Sequence, residues 1–152
     1  MKKNISVRPA TEADIPAIHA LVHELAVYEL APEAHTATID DYLKDFKAAI
    51  FEAQVAVDTS NDTIVGMILY YMSYSTWKGK MLYLEDFVVT ESYRQYGVGQ
   101  KLFDTFLEVA RQKECILTKW QVLDWNEPAI KFYEKNRATI EKGWWNVKVF
   151  LS

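Results

Sequence analysis

The chain has 152 residues, half of them hydrophobic and a quarter charged, with a net charge of −4. That balance excludes a disordered chain, supplies enough apolar material for one domain over residues 1–152, and argues against nucleic-acid binding, which needs a basic face. No apolar run approaches the ~20 residues of a membrane span, the first ten residues lack the apolar stretch of a signal peptide, and the single cysteine, Cys115, allows no internal disulfide and fits a cytoplasmic setting.

Ile5 to Arg8 alternates as a short strand that Pro9 ends. Thr11 and Asp14 have the spacing of a capping box for a helix striped by Ile15, Ile18, Val22 and Leu25. His19 and His23 stand four apart on that helix, a spacing able to hold a metal. The zinc-protease pattern needs glutamate where Ala20 stands, so both are expected to face solvent and no metal is predicted. The helix runs into Tyr28-Glu29. A polar loop with Pro32 leads to a second helix over 39–50. Strands are predicted over 51–57 and 63–74, joined by a turn at 58–62. A turn over Ser75-Thr76-Trp77-Lys78-Gly79 brings back a hairpin strand, Met81 to Val89.

That last strand leads into the most informative stretch. Leu82, Tyr83, Leu84, Phe87, Val88 and Val89 suit burial on both faces, and two acids, Glu85 and Asp86, interrupt them. The turn Arg94-Gln95-Tyr96-Gly97-Val98-Gly99-Gln100-Lys101 follows, then a helix over 98–113 carrying Val98, Leu102, Phe103, Phe106 and Val109 on one face. Strand, glycine turn and helix together suit an anion. Backbone N–H groups at a helix start lack internal partners, the dipole favours negative charge there, and glycine lets the backbone approach closely. The ATP-type loop does not fit, because Gly99 is followed by Gln100-Lys101-Leu102, and the dinucleotide-type loop does not, because Leu102 stands where its third glycine is needed. Leu117 to Leu123 reads as a further strand. Asn126 caps a helix with Pro128 in its first turn and with Ile130, Phe132 and Tyr133 inside it. Short strands near 138–140 and over 144–151 close the chain. The expected fold class is α/β, a mixed and mostly antiparallel twisted sheet of six to seven strands with helices on both faces.

Arg94-x-x-Gly97-x-Gly99 resembles the pyrophosphate-binding signature of the GCN5-related N-acetyltransferases (GNAT). Asn126-x-x-Ala129-x-x-Phe132-Tyr133 is similar to a second element of that family. Within it the chain is most similar to the diamine (spermidine/spermine-type) and thialysine enzymes. Arg8 to Thr11, Glu24 to Ala26 with Tyr28-Glu29, Tyr74 to Gly79, Tyr83 to Asp86, Leu123 to Asn126 and Gly143-Trp144 carry that likeness. The resemblance implies acetyl-CoA as co-substrate, direct transfer in a ternary complex, a homodimer, and a small-molecule amine as acceptor. It implies a pantetheine arm along Phe87, Val88 and Val89, a pyrophosphate on Gln95 to Gln100 flanked by Arg94 and Lys101, and Asn126 and Tyr133 beside the cofactor. It also implies Tyr28, Glu29, Trp77, Glu85 and Asp86 around the acceptor. The chain departs from the pattern in having Ser75 where spermidine enzymes carry aspartate, Arg137 where a glycine is usual, and a shortened Glu141-Lys142-Gly143.

The chemistry restricts the roles. An alkyl ammonium with a pKa near ~10.4 has about one molecule in two thousand free at pH 7, so a base must take its proton. Glu85 is the candidate base and Tyr133 the candidate acid. Asp86, on the opposite face of a regular strand, is assigned to substrate or structure. A non-catalytic acyl-CoA-binding module, or a GNAT acting on another amine or a protein amino group, stands as the alternative. The pocket could be lined further by Tyr83 and Trp125.

Overall fold

The computed structural model describes residues 3–151, in two compact units that meet in sequence at Trp120 and Gln121. The first unit is built on one five-stranded sheet, in the order β1 (Ile5–Pro9), β2 (Glu52–Asp58), β3 (Thr63–Ser75), β4 (Gly79–Val89), β5 (Leu117–Lys119). The first three pairings are antiparallel and the last is parallel, so the sheet is mixed and mostly antiparallel, as expected. Helix α1 (Ile15–Tyr28) packs Ile15, Ile18 and Leu21 on one face, against Val55, Met67, Leu69 and Val88. Helix α2 (Ile39–Lys47) flanks it with Tyr42, Leu43 and Phe46. Helix α3 (Val98–Gln112) covers the other face with Val98, Leu102, Phe103 and Phe106, the last 5.6 Å from the Tyr70 ring. The stripes read from the sequence lie on the sheet-facing sides, because only apolar spacing at the helical period can meet a sheet, but Val22, Leu25 and Val109 are half-buried while Leu21 and Ala110, not read as part of them, are buried.

The start of α1 is fixed by a carboxylate. Asp14 accepts from the Thr11 backbone N–H at 2.8 Å and from both terminal nitrogens of Arg8 at 2.7 and 3.0 Å. The Arg8 guanidinium holds the Asp14 carboxyl below the usual carboxylate range, against the opposing effect of its burial.

The six to seven strands expected become five among the described residues. The strand predicted over 117–123 stops at Lys119, and the two predicted over 138–140 and 144–151 form none. Their alternation is strand-like, but a strand exists only where a neighbour completes its ladder. The second unit contains α4 (Glu127–Lys135), started by the Asn126 side chain, which accepts from the Ala129 N–H at 3.4 Å.

Among the described residues, no α-helix ends on glycine. Leu30, Ala49, Glu114 and Arg137 each take a left-handed φ, between 59 and 65°, just past α1, α2, α3 and α4. In every case the following N–H returns to the helix: Ala31 to Ala26, Ile50 to Asp45, Cys115 to Ala110 and Ala138 to Tyr133. This is the Schellman closure, normally built on glycine because a Cβ is strained there. Arg137 therefore occupies the left-handed position itself, while Asn136 stays at φ −91° and donates its side-chain amide to the Phe132 carbonyl at 2.9 Å. Arg137→Gly is expected to stabilise the chain by about 1 kcal/mol, a Tm rise of about 2–4 °C in a thermal melt.

Candidate active site

The glycine turn forms as predicted. Gly97 adopts φ 77° and caps α3, and a Cβ built there would meet nothing within 4 Å. Gln95 is also left-handed at φ 69°. No side chain caps the helix start, so the first-turn N–H groups of Val98, Gly99 and Gln100 are presented at the positive end of a 15-residue helix. That backbone fits a pyrophosphate. The neighbouring cationic side chains are turned to other partners. Arg94 donates its Nε to the Val89 carbonyl at 3.0 Å and lies 5.6 Å from the Tyr28 ring, and Lys101 Nζ donates to the Ile5 carbonyl at 3.2 Å. Gln100 Nε2 donates to Asp104 at 2.9 Å, and Tyr96 is exposed. What the turn offers at the helix start is therefore backbone N–H groups rather than these side chains.

The ladder between β4 and β5 ends at Tyr83 and Lys119, while β4 continues to Val89. Along that extension Phe87 stacks on Phe103 at 6.2 Å, and Val88 is buried on the α1 face.

The two acids of β4 do not alternate. Asp86 pairs with Leu69 and Leu84 with Tyr70, so Glu85 is the extra residue of a β-bulge. Regular alternation would send Asp86 away from Glu85. The bulge instead puts Asp86 on the face of Leu69 and Val88, toward α1, with Tyr83 and Tyr71 on the same side. The expectation of opposite faces is thus overturned by a register slip. Tyr71 donates its hydroxyl to Glu85 Oε2 at 3.3 Å, and its ring stacks on Tyr83 at 5.3 Å. Burial, with the negative charges of Glu85 and Glu29 behind it, pushes Asp86 up to about 7. Burial also raises Glu29. Tyr71 rises to about 12, through burial and then Glu85, so it remains a hydrogen-bond donor at neutral pH. Tyr42 of α2 rises to about 12 as well, through burial and then the Asp86 charge.

The charges of Glu85 and Glu29 therefore both bear on Asp86 at one end of α1. Tyr28, at the same end, reaches the glycine turn through Arg94. Trp77 is 86% exposed and covers no core. Tyr71 and Tyr42 were not singled out by sequence. Tyr71 had one signal, its place opposite Tyr83 in the hairpin; Tyr42 had none. In the second unit Tyr133 is buried, its ring 5.8 Å from that of Phe132, and Asn126 caps its helix. A hollow of about 290 Å³ beside Pro9, Phe46, Gln54, Tyr70 and Lys113 contains none of the predicted site residues. Among the described residues, no helix is long and apolar enough to cross a membrane.

Comparison with known proteins identifies the family. The model of the acetyltransferase (GNAT) family matches residues 18–138. The thialysine N-epsilon-acetyltransferase of Bos taurus is 36% identical over 92% of this chain and 89% of its own length. The spermidine/spermine N(1)-acetyltransferase-like protein 1 of Homo sapiens is 33% identical over 91% of this chain, which spans only 21% of that larger protein. Among solved structures, an aminoglycoside acetyltransferase from an uncultured soil metagenomic sample has the same fold, with a TM-score of 0.80 over 98% of this chain and 97% of its own, at 18% identity. With the motifs, the sheet and these matches in agreement, the chain belongs to the GNAT family of acetyltransferases.

Proposed function

We propose that the chain transfers an acetyl group from acetyl-CoA to the primary amine of a small cationic acceptor, a diamine, polyamine or thialysine-like amino acid. The observation that carries this reading is the convergence of Glu29, Glu85 and Asp86 at one end of α1, brought about by the bulge in β4. A buried carboxyl facing the charges of two further acids is a poor arrangement for stability and a good one for a cation.

The pyrophosphate of acetyl-CoA would lie on the backbone N–H groups of Val98, Gly99 and Gln100, with Phe87 to Val89 beside the rest of the molecule; the family motif assigns Asn126 to the cofactor as well. When bound, acetyl-CoA supplies an activated thioester. The chain supplies the proton transfers. Glu29 holds the ammonium group by charge. The Glu85–Asp86 pair takes its proton, and Asp86 is the better poised member, because its carboxyl sits near 7 and is the more sheltered of the two. Tyr71 steadies Glu85 through its hydroxyl. Tyr133 is the proton donor to the leaving group. The thialysine reading is favoured over the polyamine reading by Ser75, which leaves one carboxylate fewer for a second cationic centre.

The test is CoA release from acetyl-CoA with thialysine, lysine, ornithine, putrescine, spermidine and spermine, and with Glu85→Gln and Tyr133→Phe alongside. Turnover on one or two of these amines, reduced at least about tenfold in each variant, is the expected result. Tight acetyl-CoA binding without release on any of them would sink the small-amine reading in favour of a protein acceptor or a binding module.

A further inference from the structure

The three histidines of the chain come together, although one lies far from the other two in sequence. His19 and His23 project from one face of α1, and His35 follows the short 3-10 turn Pro32–Ala34 that leads toward α2. The His35 ring lies 4.5 Å from that of His19 and 5.6 Å from that of His23, centroid to centroid. His19, expected to face solvent, is half-buried against His35, whereas His23 is exposed.

The nitrogens are placed as a chelate. His23 Nδ1 and His35 Nδ1 face each other at 3.4 Å. That is long for an N–H hydrogen bond. It is also the separation of two ligands on one tetrahedral zinc ion, about 3.3–3.4 Å for bonds of about 2.0–2.1 Å. The far nitrogens are held by other groups. His35 Nε2 lies 3.1 Å from the Tyr42 hydroxyl, and His19 Nε2 donates to the Ala37 carbonyl at 2.8 Å. With its proton on Nε2, accepted by the Tyr42 oxygen, His35 aims the Nδ1 lone pair at His23. A metal-binding histidine is commonly oriented by such an outer partner.

We propose that His23 and His35 bind one divalent transition-metal ion, of the zinc class, between α1 and the segment entering α2. This site is separate from the acid cluster, and its existence does not depend on the acetyl-transfer reading. The His19 ring packs against that of His35 at a tilt of 37° and positions it. Among the described residues, no group of three or more His, Cys, Asp and Glu side chains is set to hold a metal. Water completes the coordination, and the exposed His23 leaves the ion an open path.

The test is titration of the untagged full-length chain with zinc, followed by calorimetry and by thermal melting. One ion per chain and a Tm that rises with zinc concentration are expected. His23→Asn, at an exposed position that leaves the fold intact, and His35→Asn should each weaken binding by at least about tenfold. Tyr42→Phe, which keeps both ligands, should weaken it by about tenfold through the lost orienting contact. Absence of binding by the unaltered chain at millimolar zinc would overturn the proposal. So would binding that survives His23→Asn unchanged, because the ion would then sit elsewhere.

Discussion

Asp86→Asn is expected to lower kcat/KM for the amine by about 10²–10⁴-fold, the range for losing a positioned proton acceptor. It should also remove the rise in activity expected of the unaltered enzyme as pH passes through about 7. Stability should move the other way. The folded carboxyl binds its proton more tightly than the ~3.9 of an unfolded aspartate. The folded state is therefore favoured at acid pH and loses stability as pH rises from that value through about 7. Asparagine carries no charge, so the variant should lose that slope and melt higher than the parent at pH 8. An enzyme that is slower and also more heat-resistant at pH 8 is the signature of a charge kept for function. If Asp86→Asn retains full activity and an unchanged pH profile, the proton goes elsewhere, and Glu85 becomes the sole candidate.

Gly97→Val should act on the other substrate. Nothing lies within 4 Å of a Cβ at this position, so crowding is not the penalty. The penalty is the φ of 77°, which a β-branched residue resists by about 1–2 kcal/mol or more. Relaxing that strain tilts the first N–H groups of α3 away from the anion, and hydrogen bonds to a charged group contribute about 1.5–3 kcal/mol each. Together these give about a hundredfold loss in kcat/KM for acetyl-CoA, mainly as a raised KM. Steady-state kinetics with acetyl-CoA as the varied substrate would measure it. An unchanged KM would remove the glycine turn from cofactor binding.

Much of this site was legible from residue order alone. The glycine turn, the apolar face of α3 and the Asn126 cap are local features, and each was found where its spacing placed it. What stayed hidden depends on partners far away in sequence. The bulge at Glu85 arises from how β4 pairs with Leu69 and Tyr70, and alternation within β4 cannot report a slip against another strand. The His23–His35 contact closes across a loop with no periodic pattern. The strands expected over 138–151 had the right alternation, but sequence alone does not state whether a ladder partner is present. The helix stops were invisible for a simpler reason: the residues that make them carry side chains that normally avoid that conformation.

Those four stops have a consequence for how the protein tolerates change. Each left-handed Leu30, Ala49, Glu114 or Arg137 is a place where a single glycine relieves strain without altering a buried contact. They belong to separate helices, so their gains should add to within a few tenths of a kcal/mol. Most natural chains sit only slightly above the stability that function demands. This one keeps a latent margin of heat tolerance at its helix ends. A lineage that relaxed one or two of them could accept otherwise unfolding changes around the amine pocket, and so explore new acceptors from the same scaffold.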